Sequence, residues 1–260
     1  MPIRLAAALG LVSVAGCLLL VGLLHVLGGL DPLRMTLSEY ALGPLGWMFD
    51  LGVTGLAAGS LLVLFALLGA GLLRWPSTGA VALLVWAGAL LVLVLFQKAD
   101  WSVGPSLSGY VHRYAGFAAF VALPAAALAI ARGLGQDRFA VGMTTLALLS
   151  YGWLAVIVAG MLLYPLAGVP MWRVVPLGLV ERGLAVTELA TLTLLAACAY
   201  RAAPSPADTA LRSQSAVLDA RKLHYGSEVR IGRERGRGGA GGQRGSMRRA
   251  PSIRMVSPLR

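Results

Sequence analysis

Charge is what this chain has least of. Only 13% of its 260 residues are Asp, Glu, Lys or Arg, about half the charged share of a soluble domain. So few charges cannot cover a water-facing surface, which excludes an ordinary soluble enzyme or scaffold. Cysteine is scarce as well. Cys17 and Cys198 both lie inside apolar runs, so neither a disulfide nor a cysteine metal cluster is expected. The motifs of soluble catalysis are missing too: there is no phosphate-cradling glycine loop, no Gly-x-Ser-x-Gly elbow and no His-Glu-x-x-His.

What the chain has in abundance is apolar residues, at 58%. Its few charges are unevenly placed. Residues 1–200 hold nine Lys/Arg and seven Asp/Glu, whereas residues 201–260 hold thirteen and four. Nine of the eleven net positive charges therefore belong to the last 60 residues. The pI near 10.6 describes that tail, and it gives no support for a nucleic-acid partner of the whole protein. Two parts follow: an apolar body, 1–200, and a basic appendage, 201–260.

A helix needs about 20 apolar residues to cross roughly 30 Å of hydrocarbon. Six stretches qualify, near 5–30, 48–73, 79–97, 114–131, 139–164 and 183–200. Strand edges and open loops cannot satisfy their backbone groups in lipid. The expected fold is an all-α, polytopic transmembrane bundle of six spans. Pro124 falls inside the fourth span and is expected to kink it. The first span has a rival reading, because Arg4 and the string Val14-Ala15-Gly16-Cys17 suggest a cleaved lipoprotein signal. The apolar run continues to Leu30, however, and Leu18-Leu19-Leu20 follow the cysteine. That favours a retained span.

With both termini in the cytoplasm, the inner loops carry Arg4, Arg74, Arg132 and Arg138, and the outer ones Arg34, Lys98, Arg113, Arg173 and Arg182. Four against five decides nothing, so the basic tail sets the orientation, helped by Arg201. The tail itself reads as a disordered, solvated arm, with a short helix possible near 207–223 and anionic lipid as a contact.

Six of the body's seven acids, Asp31, Glu39, Asp50, Asp100, Glu181 and Glu188, fall in or near outer segments. Only Asp137 faces the other way. Polar residues beside lipid are costly unless paired or used. Glu188 is the sharpest case, about 12 Å deep for a helix starting near Val180. A charge near the bilayer centre costs about 2.5–3.5 kcal/mol, so Glu188 is expected to be protonated, paired, or facing a wet cavity. Glu181, Glu188 and Thr191 share one helix face. Two readings stand for Glu188: a ligand, ion or proton site, and an interhelical hydrogen bond.

His112 opens the fourth span and Asp100 closes the third. A short loop can join them as a carboxylate–imidazole pair that shuttles protons or binds a metal, although an interface-anchoring histidine is the commoner explanation. His25 reads as structural. Gly55-xxx-Gly59, preceded by Gly52, allows close packing of the second span. Trp47, Trp101, Tyr110 and Trp172 read as an interfacial belt at one face, with Trp75 at the other. Tyr151 and Trp153 lie mid-span as packed aromatics or cavity lining. The stretch 165–176 is expected to lie on the membrane surface.

Four strings, taken together, carry a family likeness: Thr36-Leu37-Ser38-Glu39-Tyr40, Phe96-xxx-Asp100, Ser108-Gly109-xx-His112-Arg113 and Gly178-Leu179-Val180-Glu181-Arg182. In this order the chain resembles the bacterial membrane-protein family called domain of unknown function 998. The resemblance implies a six-helix body with its shared polar positions on one membrane face. It makes Ser38, Glu39, Asp100, His112, Glu181 and Arg182 candidate site residues, to which Glu188 is added from its depth. It implies no activity, metal or cofactor, and the tail departs from its pattern.

Three functions remain in view. The first is binding or transport of a small molecule or lipid through an outer polar mouth at the cell membrane. The second is an intramembrane enzyme acting on an envelope lipid with Asp100, His112 and Glu181. The third is a non-catalytic subunit, paired with another membrane protein or with a second copy.

Overall fold

The structure is a computed structural model that describes residues 1–100, 103–168 and 171–204, without the side chains at 164, 165, 167, 171 and 172. Expectations for the basic tail, for the helix near 207–223 and for Trp101 and the Trp172 side chain lie outside the described residues. Two units separate at residue 203, and everything below concerns the first, Met1–Ala203.

Seven α-helices make up this unit: α1 Ile3–Leu27, α2 Gly46–Gly69, α3 Thr78–Leu95, α4 Leu107–Leu134, α5 Arg138–Ala167, the short α6 Met171–Val174, and α7 Leu177–Ala202. A 3-10 turn, Leu37–Leu42, lies between α1 and α2. Six helices, all but α6, are long and apolar enough to cross a membrane. No strand occurs among the described residues. Two starts follow side-chain capping, which supplies an acceptor to otherwise unpaired amides. Ser77 Oγ accepts from the Ala80 amide and Ser106 Oγ from that of Gly109. α4 therefore begins well before its apolar stretch, and it runs on through the buried Pro124.

Each span packs on its neighbour in sequence, and α7 closes the ring by packing on α1. α7 also touches α2 and α4, so it meets four other spans. The interior is built largely of small residues: Ala7, Ala57, Ala80, Ala126, Ala147 and Ala196 are fully buried. Larger side chains such as Leu19, Leu148 and Val186 point outward. This is the reverse of a soluble protein. Lipid is as apolar as leucine, so burying leucine yields little, whereas small residues let helices approach and gain dispersion contact.

The α1–α2 contact shows the effect. A side chain at Gly59 would collide with Ser13, and a Cβ at Gly10 would press on Val63 and the Gly59 carbonyl. Gly55 faces open space instead, so the close approach uses Gly59 with Gly10 of α1 and not the Gly55-xxx-Gly59 pair. One buried polar contact joins α2 to α3, where Trp86 Nε1 donates to Ser60 Oγ at 2.9 Å. Trp47 and Tyr110 at one end and Trp75 at the other are exposed, as interfacial anchors require.

Candidate functional site

The up-and-down topology brings the end of α1, the 3-10 turn, the end of α3 and the starts of α2, α4 and α7 to one end of the bundle. At the other end Arg4 donates to the Ala203 carbonyl, so the first and last spans begin and finish together.

The strings singled out in the sequence meet in pairs at the first end. One pair joins the start of α7 to the segment after α1. Gly178 sits so close to that segment that a Cβ would lie 2.5 Å from the Met35 carbonyl and 2.6 Å from that of Pro32. Only a residue without a side chain fits. The Leu179 amide donates to the Leu33 carbonyl at 3.2 Å. Glu181 Oε2 accepts from the Leu37 amide at 2.8 Å. Arg182 grips the same segment through Nη1, which donates to Met35 O at 2.7 Å and to Gly178 O at 2.9 Å. Its Nε donates to His25 Nε2 at 2.7 Å, and its Nη2 lies 3.5 Å from the Tyr40 hydroxyl.

These contacts settle the state of His25. A carbonyl oxygen only accepts, so Nδ1, 2.7 Å from Val21 O, carries the proton. Nε2 must then accept from Arg182. The roles of its two ring nitrogens are thus set by both neighbours. Tyr40, buried against it with ring centroids 5.3 Å apart, completes the cluster.

The second pair joins the end of α3 to the start of α4. Ser108 Oγ donates to Gln97 O at 2.9 Å, and Gly109 lies so tightly against Ala99 that a side chain there would overlap it. His112 Nδ1 lies 3.0 Å from Leu93 O and 2.9 Å from Phe96 O. Both partners are carbonyls, so Nδ1 is again the donor, and His112 closes the last turn of α3. Asp100 is exposed.

Lys98 ties the two pairs together. Its Nζ donates to Thr36 Oγ1 at 2.5 Å and to Glu39 Oε1 at 2.8 Å, the latter an ion pair between two partly buried side chains. Thr36 also contacts Ser38 and Glu39 at 3.3 and 3.2 Å. The sequence reading had set His25 aside and had not singled out Thr36, Tyr40 or Lys98. Thr36 and Tyr40 border the quoted Ser38-Glu39 pair, and Lys98 is the sole lysine of the body, so a signal existed for these three. Nothing in the spacing of His25 foretells Arg182.

Residues 6–198 match the family model described as Protein of unknown function (DUF998). The chain belongs to this family. No curated protein and no solved structure matches it. As a DUF998 protein with six spanning helices, it is a multi-pass membrane protein. The four strings are thus two interlocking contacts and a lysine bridge, which together form a polar latch.

Glu188 stands apart from the latch. It is the twelfth residue of the 26-residue α7, about 10 Å deeper than Glu181 on the same face. It is 1% exposed, and among the described residues neither carboxyl oxygen has a hydrogen-bond partner. The interhelical hydrogen bond that would make it structural does not form. Hydroxyls are concentrated on this part of α7 and on the facing α5. Ser150 Oγ donates to Thr187 Oγ1 at 2.9 Å, Thr191 Oγ1 to Thr187 O at 2.8 Å, and Tyr151 OH to Val121 O of α4 at 3.1 Å. Among the described residues no three His, Cys, Asp or Glu side chains gather as a metal-ligand set.

Proposed function

We propose that this DUF998 protein binds a small molecule or a lipid and moves it through the polar end of the bundle, with Glu188 at the foot of the site. One observation carries the reading: a carboxyl at the middle of a spanning helix, buried and without a partner. An orphan acid in hydrocarbon is expensive, and such a group is retained where it is used. The latch residues Ser38, Glu39, Asp100, His112, Glu181 and Arg182 then form the mouth and lid above it.

The polar end faces outward and both termini lie in the cytoplasm of a cell-membrane protein. The thirteen basic residues of 201–260, which begin with Arg201 directly after the last span, support this orientation. A thiol at Val103, which is 87% exposed, is expected to react with an impermeant reagent on intact cells, and one at Gln136 is not. Both substitutions are made in a Cys17→Ala, Cys198→Ala background. The opposite pattern would invert the protein and move the mouth to the cytoplasm.

The function is tested with the purified protein in nanodiscs, screened for thermal stabilisation by membrane lipids and by small cationic, anionic and neutral solutes. Stabilisation by one of them, lost in Glu188→Gln, is the expected result. Identical profiles in the two proteins would remove Glu188 from the site.

A second reading, an enzyme acting on an envelope lipid, draws on His112. With Nδ1 donating to carbonyls, its Nε2 is the ring nitrogen left to act as a base. Lipid turnover lost in His112→Gln at unchanged thermal stability would favour it.

A further inference from the structure

We infer that Glu188 is an exchange site for a small monovalent cation, a protonated amine or an alkali ion, which takes the place of its proton. This deepens the reading above and rests on it.

The argument begins with charge. Latch cations are occupied: Lys98 by Glu39 and Thr36, and Arg182 by His25, Met35 O and Gly178 O. Neither reaches Glu188. Ionisable groups on the helices packed against α7 include Arg4, Cys17 and His25 on α1, Asp50 on α2, His112 on α4 and Tyr151 on α5. None of these lies within hydrogen-bond distance of the Glu188 carboxyl. An ionised Glu188 would therefore stand uncompensated among helices. Without a cation beside it, the neutral acid is the favoured form.

An occupant must keep that balance. An anion would meet a carboxyl with no cation beside it. A neutral ligand would leave the carboxyl no reason to ionise. A species of charge +1 can displace the carboxyl proton: the O–H bond breaks, the proton leaves to water at the mouth, and the cation takes its place opposite the carboxylate. The total charge of the site does not change. The groups on this part of α7 and on α5 suit such a guest, because carboxylate and hydroxyl oxygens are the ligands hard cations and ammonium groups prefer. They are Thr187 and Thr191, one and three positions from Glu188 along α7, and Ser150, bonded to Thr187, with its neighbour in sequence Tyr151 on α5. The latch lies one stretch of α7 above, so opening it would connect the acid to water.

The test uses the full-length protein in liposomes that contain a pH-sensitive dye. Inward gradients of Na⁺, K⁺ or ethylammonium are imposed in turn, and proton efflux is read. In parallel, dicyclohexylcarbodiimide, which adds to neutral carboxyl groups in apolar surroundings, is applied and its adducts are mapped by mass spectrometry. The expected result is an adduct on Glu188, protection by the same cation that drives efflux, and loss of efflux in Glu188→Gln. Glu188→Asp, which keeps the acid, should retain efflux and guards against a folding defect in the glutamine variant.

Absence of an adduct on Glu188, or an adduct that none of the three cations suppresses together with absent efflux, would overturn the exchange. Efflux unchanged in Glu188→Gln would overturn it as well. If a lipid or neutral solute still stabilises the protein in a Glu188-dependent way while efflux is absent, exchange fails and the binding reading stands. Absence of both effects removes both.

Discussion

At one end of the bundle Arg182, Lys98, Glu181 and His112 each meet partners within hydrogen-bond distance, some of them backbone groups and others side chains. About 10 Å deeper on the same face of α7, Glu188 has none. The latch satisfies polar groups that loops unavoidably bring to the membrane surface. Glu188 adds a polar group that α7 did not need for folding, since the helix satisfies its own backbone. A partnered residue is accounted for by architecture. An orphan requires another account, and function is the one proposed.

If that contrast holds, mutations in the two regions should differ in kind. Arg182→Ala should have the largest effect on stability, because it strips partners from His25 and from the Met35 and Gly178 carbonyls at once. A loss of about 3 kcal/mol is expected, read as an early thermal transition of the purified protein. A transition at the wild-type temperature would show that the latch holds nothing. Gly178→Val comes next, at about 2 kcal/mol, because its Cβ would strike the carbonyls of Pro32 and Met35. The comparison breaks if valine is tolerated there.

Glu188→Met should go the other way. Removing an unpaired buried carboxyl while keeping its volume is expected to leave the transition unchanged or raise it by about 1 kcal/mol. Ligand-dependent stabilisation should vanish in the same variant. Marked destabilisation would mean that Glu188 supports the fold and would erase the distinction. Smallest of all, Glu181→Gln keeps an oxygen to accept from the Leu37 amide, so a loss under about 1 kcal/mol is expected. Glu181→Leu should lose more, since the amide is then left without its acceptor.

Much of this was legible in the residues, and where legibility ended is instructive. Long apolar runs demanded helices, because nothing else satisfies a backbone in lipid. Helix starts were less visible: α4 and α7 begin at Leu107 and Leu177, ahead of their apolar stretches. Their first turns are instead polar, with Ser108, His112, Glu181 and Arg182 facing the latch. Glu181 and Arg182 bond the backbone of the segment that carries Ser38 and Glu39. For His112 two readings stood, a pair with Asp100 and the commoner anchoring histidine; its Nδ1 closes α3 through the carbonyls of Leu93 and Phe96. Backbone acceptors carry no sequence signal, so a histidine bonded to them resembles one waiting for a ligand.

The sequence by itself determined that this chain enters a membrane, how often it crosses, and which end of the bundle is polar. Each follows from local composition, which water and lipid read one segment at a time. Tertiary structure alone decided which polar groups are partnered. His25 Nε2 accepts from a guanidinium 157 positions away, and Glu188 is an orphan because no described residue of the four spans packed on α7 offers it a hydrogen-bonding group. Hydrogen bonds are short and directional, so whether one forms is settled only when distant segments have been brought into place.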